Sequence, residues 1–288
     1  MAGEKVAVVG LGGMGAGMVT ALLAARFDVT VFNRTAAKAA PFADLGARVA
    51  ESVGAAVDTV DVVLLSLSDE QAVDQVLAEV LSRRRPGTIV VDTSSVSPEF
   101  SRQTSARLAE CGVARVEACV VGNPQMAHAG CLRVFTAGDQ STVDNVRAVL
   151  DAIGDSVTHL GELGRACAFK LALNLLLGVQ TAALAEMVQF AEDAGLGRER
   201  LLATVVASGW SSPVLAFRAE FMRRRDYRPP AFRAELMGKD LRALLAEAGA
   251  YGTALPVTES ALSVYEGVVA AGRGDEDAAV VAEVRGRR

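Results

Sequence analysis

Two residues able to do acid–base and hydrogen-bonding chemistry stand one helical turn apart in the most apolar stretch of the chain. They are Lys170 and Asn174, within Gly161 to Ala194, GELGRACAFKLALNLLLGVQTAALAEMVQFAEDA. Apolar residues recur all round this stretch, which reads as a long, mostly buried helix. A pair at i and i+4 shares one helix face. A lysine withdrawn from water loses part of its preference for the charged form, and it can then pass a proton near neutral pH. The asparagine amide offers a donor and an acceptor. A lysine can also snorkel from a core helix to solvent. Composition favours the chemical reading. Of 29 basic residues only Lys5, Lys38, Lys170 and Lys239 are lysine, which leaves 25 arginines. Against that preference, a lysine in an apolar helix marks a group that must release its proton, which arginine cannot do.

The second cluster is Gly10-Leu11-Gly12-Gly13-Met14-Gly15. It follows the apolar run Lys5 to Val9 and opens a helical pattern reaching about Arg26, with a second strand pattern at Asp28 to Phe32. In this strand–turn–helix–strand setting, Gly10, Gly12 and Gly15 form a dinucleotide fingerprint. The first glycine allows the tight turn, the second lets a pyrophosphate approach the backbone, and the third lets helix pack on strand. The helix start then faces the phosphates. Sites for NAD place an acid at the end of the second strand. Here the residues are Asn33-Arg34-Thr35. Arg34 can pair with a 2′-phosphate, so NADP(H) is the expected cofactor and NAD(H) the alternative.

Further strands and helices must carry these groups. Apolar runs at Asp61 to Leu67, Thr88 to Asp92, Val113 to Val121, Cys131 to Thr136 and Ser156 to Leu160 predict strands. Helical patterns separate them at Asp69 to Leu81, after the polar loop Thr93 to Pro98 as far as about Glu110, and at Ser141 to Leu150. Pro86-Gly87 predicts a turn between two of these elements. Ligands of open α/β sheets lie outside the carboxyl ends of the strands, which places Ser66, Leu67, Ser68, Ser94 and Ser95 along the cofactor. Serine is equally an ordinary loop and cap residue. After Gly195 the patterns are helical at Arg198 to Ala207, Val214 to Arg225, Phe232 to Ala248 and Val257 to Ala271, with a closing segment from Asp275. The expected fold class is α/β: a doubly wound Rossmann domain over 1–162, then an all-helical domain over 163–288 that includes the long connecting helix. A cleft between the two is the expected active site.

Totals exclude several function classes. The chain has 288 residues, 51% hydrophobic and 22% charged, with a net charge of −5. That is a well-supplied core, and no long basic block points to nucleic acid. The short runs Arg83-Arg84-Arg85 and Arg223-Arg224-Arg225 read as solvated helix ends. Cys111, Cys119, Cys131 and Cys167 show no metal-ligand spacing with the two histidines, so no metal site is expected and a reduced, cytoplasmic protein is. The chain enters its first strand without a leader pattern. Lys170, Asn174 and Gln180 interrupt the most apolar helix, so no membrane span of about 18 residues is expected.

With these residues placed, the chain resembles the β-hydroxyacid dehydrogenase family nearly end to end. The carrying motifs are GLGGMGAGM at Gly10 to Met18, VFNRT at Val31 to Thr35 and VDTSSVSP at Val91 to Pro98. GELGRACAFKLALN at Gly161 to Asn174, GKDLRALLAEA at Gly238 to Ala248 and GRGDEDAA at Gly272 to Ala279 complete them. The resemblance implies that Lys170 exchanges a proton with the reacting oxygen as hydride moves. It implies that Asn174 holds substrate, that Lys239 reaches the cofactor, and that the chain forms a homo-oligomer, a dimer or tetramer. One stretch departs from the pattern. The family's substrate loop resembles Asp-Ala-Pro-Val-Ser-Gly-Gly, with the Ser-Gly-Gly on a carboxylate. Here it is Glu117 to Asn123, EACVVGN, so Val121, Gly122 and Asn123 stand at the substrate positions. Val121 has no hydroxyl, while the Asn123 side chain adds a donor. A small carbonyl or alcohol substrate is therefore expected, with imine reduction as the alternative and a non-catalytic cofactor-binding scaffold as a lower one.

Overall fold

The computed structural model describes residues 4–58, 60–83 and 87–284. Arg84 and Arg85 of the basic run and Pro86 of the expected turn lie outside them. Inter-residue contacts divide the chain into Met1–Lys170 and Leu171–Arg288.

In the first unit the strands are β1 (Lys5–Val9), β2 (Asp28–Phe32), β3 (Arg48–Val49), β4 (Val62–Leu65), β5 (Ile89–Asp92), β6 (Ala114–Val121), β7 (Leu132–Ala137) and β8 (Gly154–His159). They form one eight-stranded sheet in the order β3-β2-β1-β4-β5-β6-β7-β8. All neighbouring pairs are parallel except β6 with β7. The helices are α1 (Gly13–Ala24), α2 (Val53–Val57), α3 (Glu70–Ser82), α4 (Pro98–Glu110), α5 (Pro124–His128), α6 (Gln140–Asn145) and α7 (Arg147–Ile153). Alternate β1 residues serve opposite faces of the sheet, as a pleated strand requires. Val6 and Val8 join one apolar cluster with Met18, Leu22 and Leu150; Ala7 and Val9 join another with Leu77, Val90 and Leu108. Burial on both faces is why these strands read as unbroken apolar runs.

Strand order reverses between β1 and β4, parallel neighbours although β2 and β3 lie between them in sequence. This is the switch point where ligands of such sheets bind. The expected helix at Ser141 to Leu150 is instead two short helices, α6 and α7, meeting at Val146.

The long helix α8 is Arg165–Asp193. It runs through the division between the units and is continued by α9 (Arg198–Val206), α10 (Pro213–Arg224), α11 (Ala234–Ala250) and α12 (Pro256–Ala270). Helices of the second unit pack on a core of Leu184, Val188, Leu202, Met222, Met237, Leu241 and Tyr265. The expected closing segment is a short 3-10 helix at Ala278–Glu283, with Ala278 to Val281 fully buried. Asp277 fixes it: it pairs with buried Arg218 and accepts from the Ala231, Phe232 and Ala279 N–H groups.

Two expectations for α8 need correction. The helix is not mostly buried: 44% of its most apolar 18-residue window is. Leu176 and Phe190 are exposed, the latter by 75%. By length and composition it is also apolar enough to cross a membrane. Single polar residues do not lower the mean hydropathy of so long an apolar segment enough. They do bind it into the helical unit. Asn174 donates to Asp240, and Gln189 donates to the carbonyls of Val281, Ala282 and Val284.

Arg198 joins three elements of this unit through Glu192, 2.8 Å away, and Glu283. Its hydrogen bond holds the Glu192 carboxyl below the ordinary range. Burial pushes Glu283 upward, but Arg198 and the Tyr227 hydroxyl outweigh it and hold that carboxyl low as well. A lowered carboxylate contributes stability that is present above its unfolded value, about 4.3 for Glu, and lost as pH falls through the folded value. Acid is therefore expected to unfold this unit progressively below about pH 4. Arg198→Met should lower stability more at neutral pH than in acid and so flatten that dependence. Urea unfolding over a pH series reads it; an unchanged acid slope in the variant contradicts it.

Candidate active site

The glycine turn separates the space that the protein fills from the space that it leaves. Gly10 has φ +99°, a region glycine favours, and a Cβ there would lie 2.3 Å from the Ser66 carbonyl oxygen. A Cβ at Gly15 would lie 2.0 Å from the Gly10 carbonyl oxygen. At Gly12 a Cβ would meet nothing within 4 Å. Gly12 has an extended backbone and starts α1 with no capping side chain. Packing alone demands glycine at positions 10 and 15. Position 12 opens on free space beside the first N–H groups of a helix, which suits a pyrophosphate. The residues present thus fit a dinucleotide.

Asn33 serves this loop from the end of β2. Its Oδ1 accepts from the Leu11 N–H at 2.9 Å, and its amide donates to the Thr35 carbonyl at 3.0 Å. Arg34 and Thr35 are exposed beyond it. Across the switch point, Ser94 is buried and accepts from the Leu67 N–H at 3.0 Å, so its hydroxyl ties two loops together. Ser66, Leu67 and Ser95 are half-buried at the carboxyl ends of β4 and β5. Ser68 is exposed and bonds Asp69, which caps α3.

The substrate-loop residues begin at the last residue of β6, Val121, and continue past it. Gly122 is exposed, and Val121 and Asn123 are half-buried. Asn123 caps α5, its Oδ1 accepting from the Met126 N–H at 2.9 Å. With the oxygen engaged, the amide NH₂ is the group left to donate. The short helix α5 was absent from the sequence expectations, although Asn123-Pro124 is a cap followed by the favoured first residue. It packs directly on α1. A Cβ at Gly17 would lie 2.6 Å from the Ala127 Cβ, and one at Gly13 would lie 3.1 Å from the Pro124 ring. Two glycines one turn apart thus let the substrate loop and the nucleotide helix sit against each other.

Lys170 and Asn174 lie at i and i+4 on α8. Lys170 is half-buried rather than buried. The preceding Phe169 stacks on Phe135 of β7, with ring centroids 4.5 Å apart. Asn174 is 3% exposed and donates its amide to Asp240 Oδ2 at 2.6 Å. A carboxylate only accepts, so the Asn174 nitrogen faces Asp240 and its oxygen faces away. Lys239 Nζ lies 3.1 Å from Asp240 Oδ1 as an ion pair, off the line of a hydrogen bond. Asp240, the carboxylate that holds Asn174, was not singled out in the sequence; its signal was a carboxylate beside one of four lysines. Among the described residues no group of His, Cys, Asp and Glu could hold a metal ion.

Residues 5–161 match the NAD binding domain of 6-phosphogluconate dehydrogenase, and residues 164–284 match the NAD-binding domain of NADP-dependent 3-hydroxyisobutyrate dehydrogenase. The chain is 33% identical over 285 residues to 2-(hydroxymethyl)glutarate dehydrogenase of Eubacterium barkeri, covering 97% of this chain and 94% of that protein. A 3-hydroxyisobutyrate dehydrogenase from Salmonella typhimurium superposes with a TM-score of 0.92 at 26% identity, over 98% of this chain and 100% of that one. An imine reductase from Myxococcus stipitatus, solved with NADP⁺, superposes at 0.64 and 26%, over 98% and 99%. Fold, nucleotide turn and matched families agree: the chain belongs to the β-hydroxyacid dehydrogenase family and is an NAD(P)-dependent oxidoreductase.

Proposed function

We propose that the chain is an NADP(H)-dependent reductase of small carbonyl compounds, acting reversibly on the corresponding alcohols, with Lys170 as its general acid and base. The observation that carries this reading is one helix presenting Lys170 a turn before an asparagine whose amide is held by a buried carboxylate. The bound nicotinamide supplies or accepts the hydride. In the reducing direction the carbonyl π bond opens as its carbon gains that hydride, and Lys170 gives the oxygen a proton. Solvent restores the lysine's proton. In the oxidising direction neutral Lys170 takes the hydroxyl proton. Asn174, oriented by Asp240, hydrogen-bonds the substrate.

For NADP(H), the support is Arg34. It is exposed at the end of β2, where no acid competes, and Asn33 is already committed to the loop. Arg34→Ala is expected to weaken NADPH binding by roughly 10–100-fold, the scale of a charge-assisted pair, and to leave NADH nearly unchanged. Fluorescence titration with both nucleotides measures it; equal losses for the two contradict the assignment.

A carboxylate-bearing substrate draws support from the Asn123 NH₂, and from the dehydrogenase relatives, whose names specify carboxylic acids. Val121 and the imine reductase likeness favour the second reading, reduction of a C=N bond. NADPH consumption on glyoxylate, succinic semialdehyde, uncharged aldehydes and 1-pyrroline separates them. Turnover on 1-pyrroline alone would replace the first reading by the second. We further infer a homo-oligomer associating through the helical unit, where Trp210 is 86% and Phe190 75% exposed. Aromatic residues are enriched at protein interfaces relative to the rest of the surface. Light scattering showing only monomer would exclude it.

A further inference from the structure

A carboxylate with no solvent access holds the start of α8. Glu117 of β6 is 0% exposed. Its Oε1 accepts from the Ser101 hydroxyl and the Gly164 N–H, and its Oε2 accepts from the Ala166 and Cys167 N–H groups at 3.1 and 3.3 Å. The first N–H groups of a helix lack partners within it. Here a neighbouring strand supplies them, and the negative charge lies at the positive end of the helix dipole.

Glu117 also ends a continuous buried chain of hydrogen bonds. The Leu67 N–H donates to Ser94 Oγ at 3.0 Å, and the Ser94 N–H donates to Asp92 Oδ1 at 2.9 Å. Asp92 Oδ2 accepts from Arg115 at 2.6 Å; Arg115 donates to Ser101 Oγ, and Ser101 donates to Glu117. Each side chain in this chain is buried, and all belong to the first unit. Three buried charges are expensive, and apolar packing of the same volume is often as stable. The network runs from the nucleotide switch point to the turn that launches Lys170, five residues beyond Arg165.

We propose that Glu117 is a positioning residue: by holding the first turn of α8, it sets where Lys170 stands relative to the nucleotide loops. This rests on the reading of Lys170 as proton donor. The test is steady-state kinetics of Glu117→Gln in two backgrounds, with Lys170 intact and with Lys170→Ala. With Lys170 intact, kcat is expected to fall roughly 10–100-fold while the KM for NADPH stays within about threefold. In the Lys170→Ala background, the further loss should be no more than about twofold, because both changes act through one group. Equal losses in the two backgrounds, or no loss in the first, overturn the proposal. If Glu117→Gln does not fold, Ser101→Ala removes one of the carboxylate's bonds, and the same comparison decides, with about 2–10-fold expected in the first background. Failure of the Lys170 reading shows separately, as Lys170→Ala alone retaining turnover.

Discussion

Lys170→Ala should lower kcat by about 10²–10⁴-fold, the scale of a lost general acid–base, while NADPH binds as before. The two halves of this result belong together. In the proposed reading the nucleotide is held by the glycine turn and the ends of β2, β4 and β5, none of which Lys170 builds. The proton, by contrast, has no substitute donor of matched chemistry on that helix face, because Asn174 donates without ionising. Lys170→Arg is expected to fare little better than alanine: it restores charge and approximate length, but a guanidinium does not release its proton. Turnover recovering in the arginine variant would show that Lys170 acts as a fixed charge. Near-normal turnover in the alanine variant would remove it from the reaction.

Gly12→Val is expected to abolish cofactor binding, by about 100-fold or more, and to leave the fold intact. A Cβ at Gly12 meets no atom, and the backbone there is extended, which valine accepts. The added side chain would enter the space where a pyrophosphate meets the helix start, and several charge-assisted hydrogen bonds would be lost together. Gly15→Ala makes the contrast. Its Cβ would press on the Gly10 carbonyl oxygen at 2.0 Å, so the loss there should be in stability, on the order of 1–3 kcal/mol or more. Thermal melts and NADPH titrations of the two variants distinguish them. If both lose stability alike, the free space at Gly12 is not what the nucleotide uses.

Much of this was legible in the sequence, for identifiable reasons. Strands β1 and β2 coincide with their expected bounds because burial on both faces leaves their interiors almost wholly apolar, Thr30 being the exception. The edge strand β3 was missed: it has two residues, both exposed, and carries no apolar signal. Helix α5 was missed for its length, five residues, although its cap was visible. The glycine turn, Lys170 and Asn174 announced themselves by residue type and spacing. What could not be read was which polar groups the fold uses on itself. Asn33 and Ser94 stand where a ligand would be expected, yet they bind Leu11 and Leu67. Glu117 and Arg115 lie within an apolar strand, a signal of paired charge, but their partners come from other elements distant in sequence.

The central claim is that hydride arrives at a carbonyl carbon while Lys170 protonates its oxygen. Its most direct measurement is transfer of label from 4-deuterated NADPH to succinic semialdehyde, read by mass spectrometry of the product in wild type and Lys170→Ala. One deuterium on the former carbonyl carbon, formed rapidly in wild type and at least ~10²-fold more slowly in the variant, is the predicted result. Label transfer at equal rates in both would contradict it.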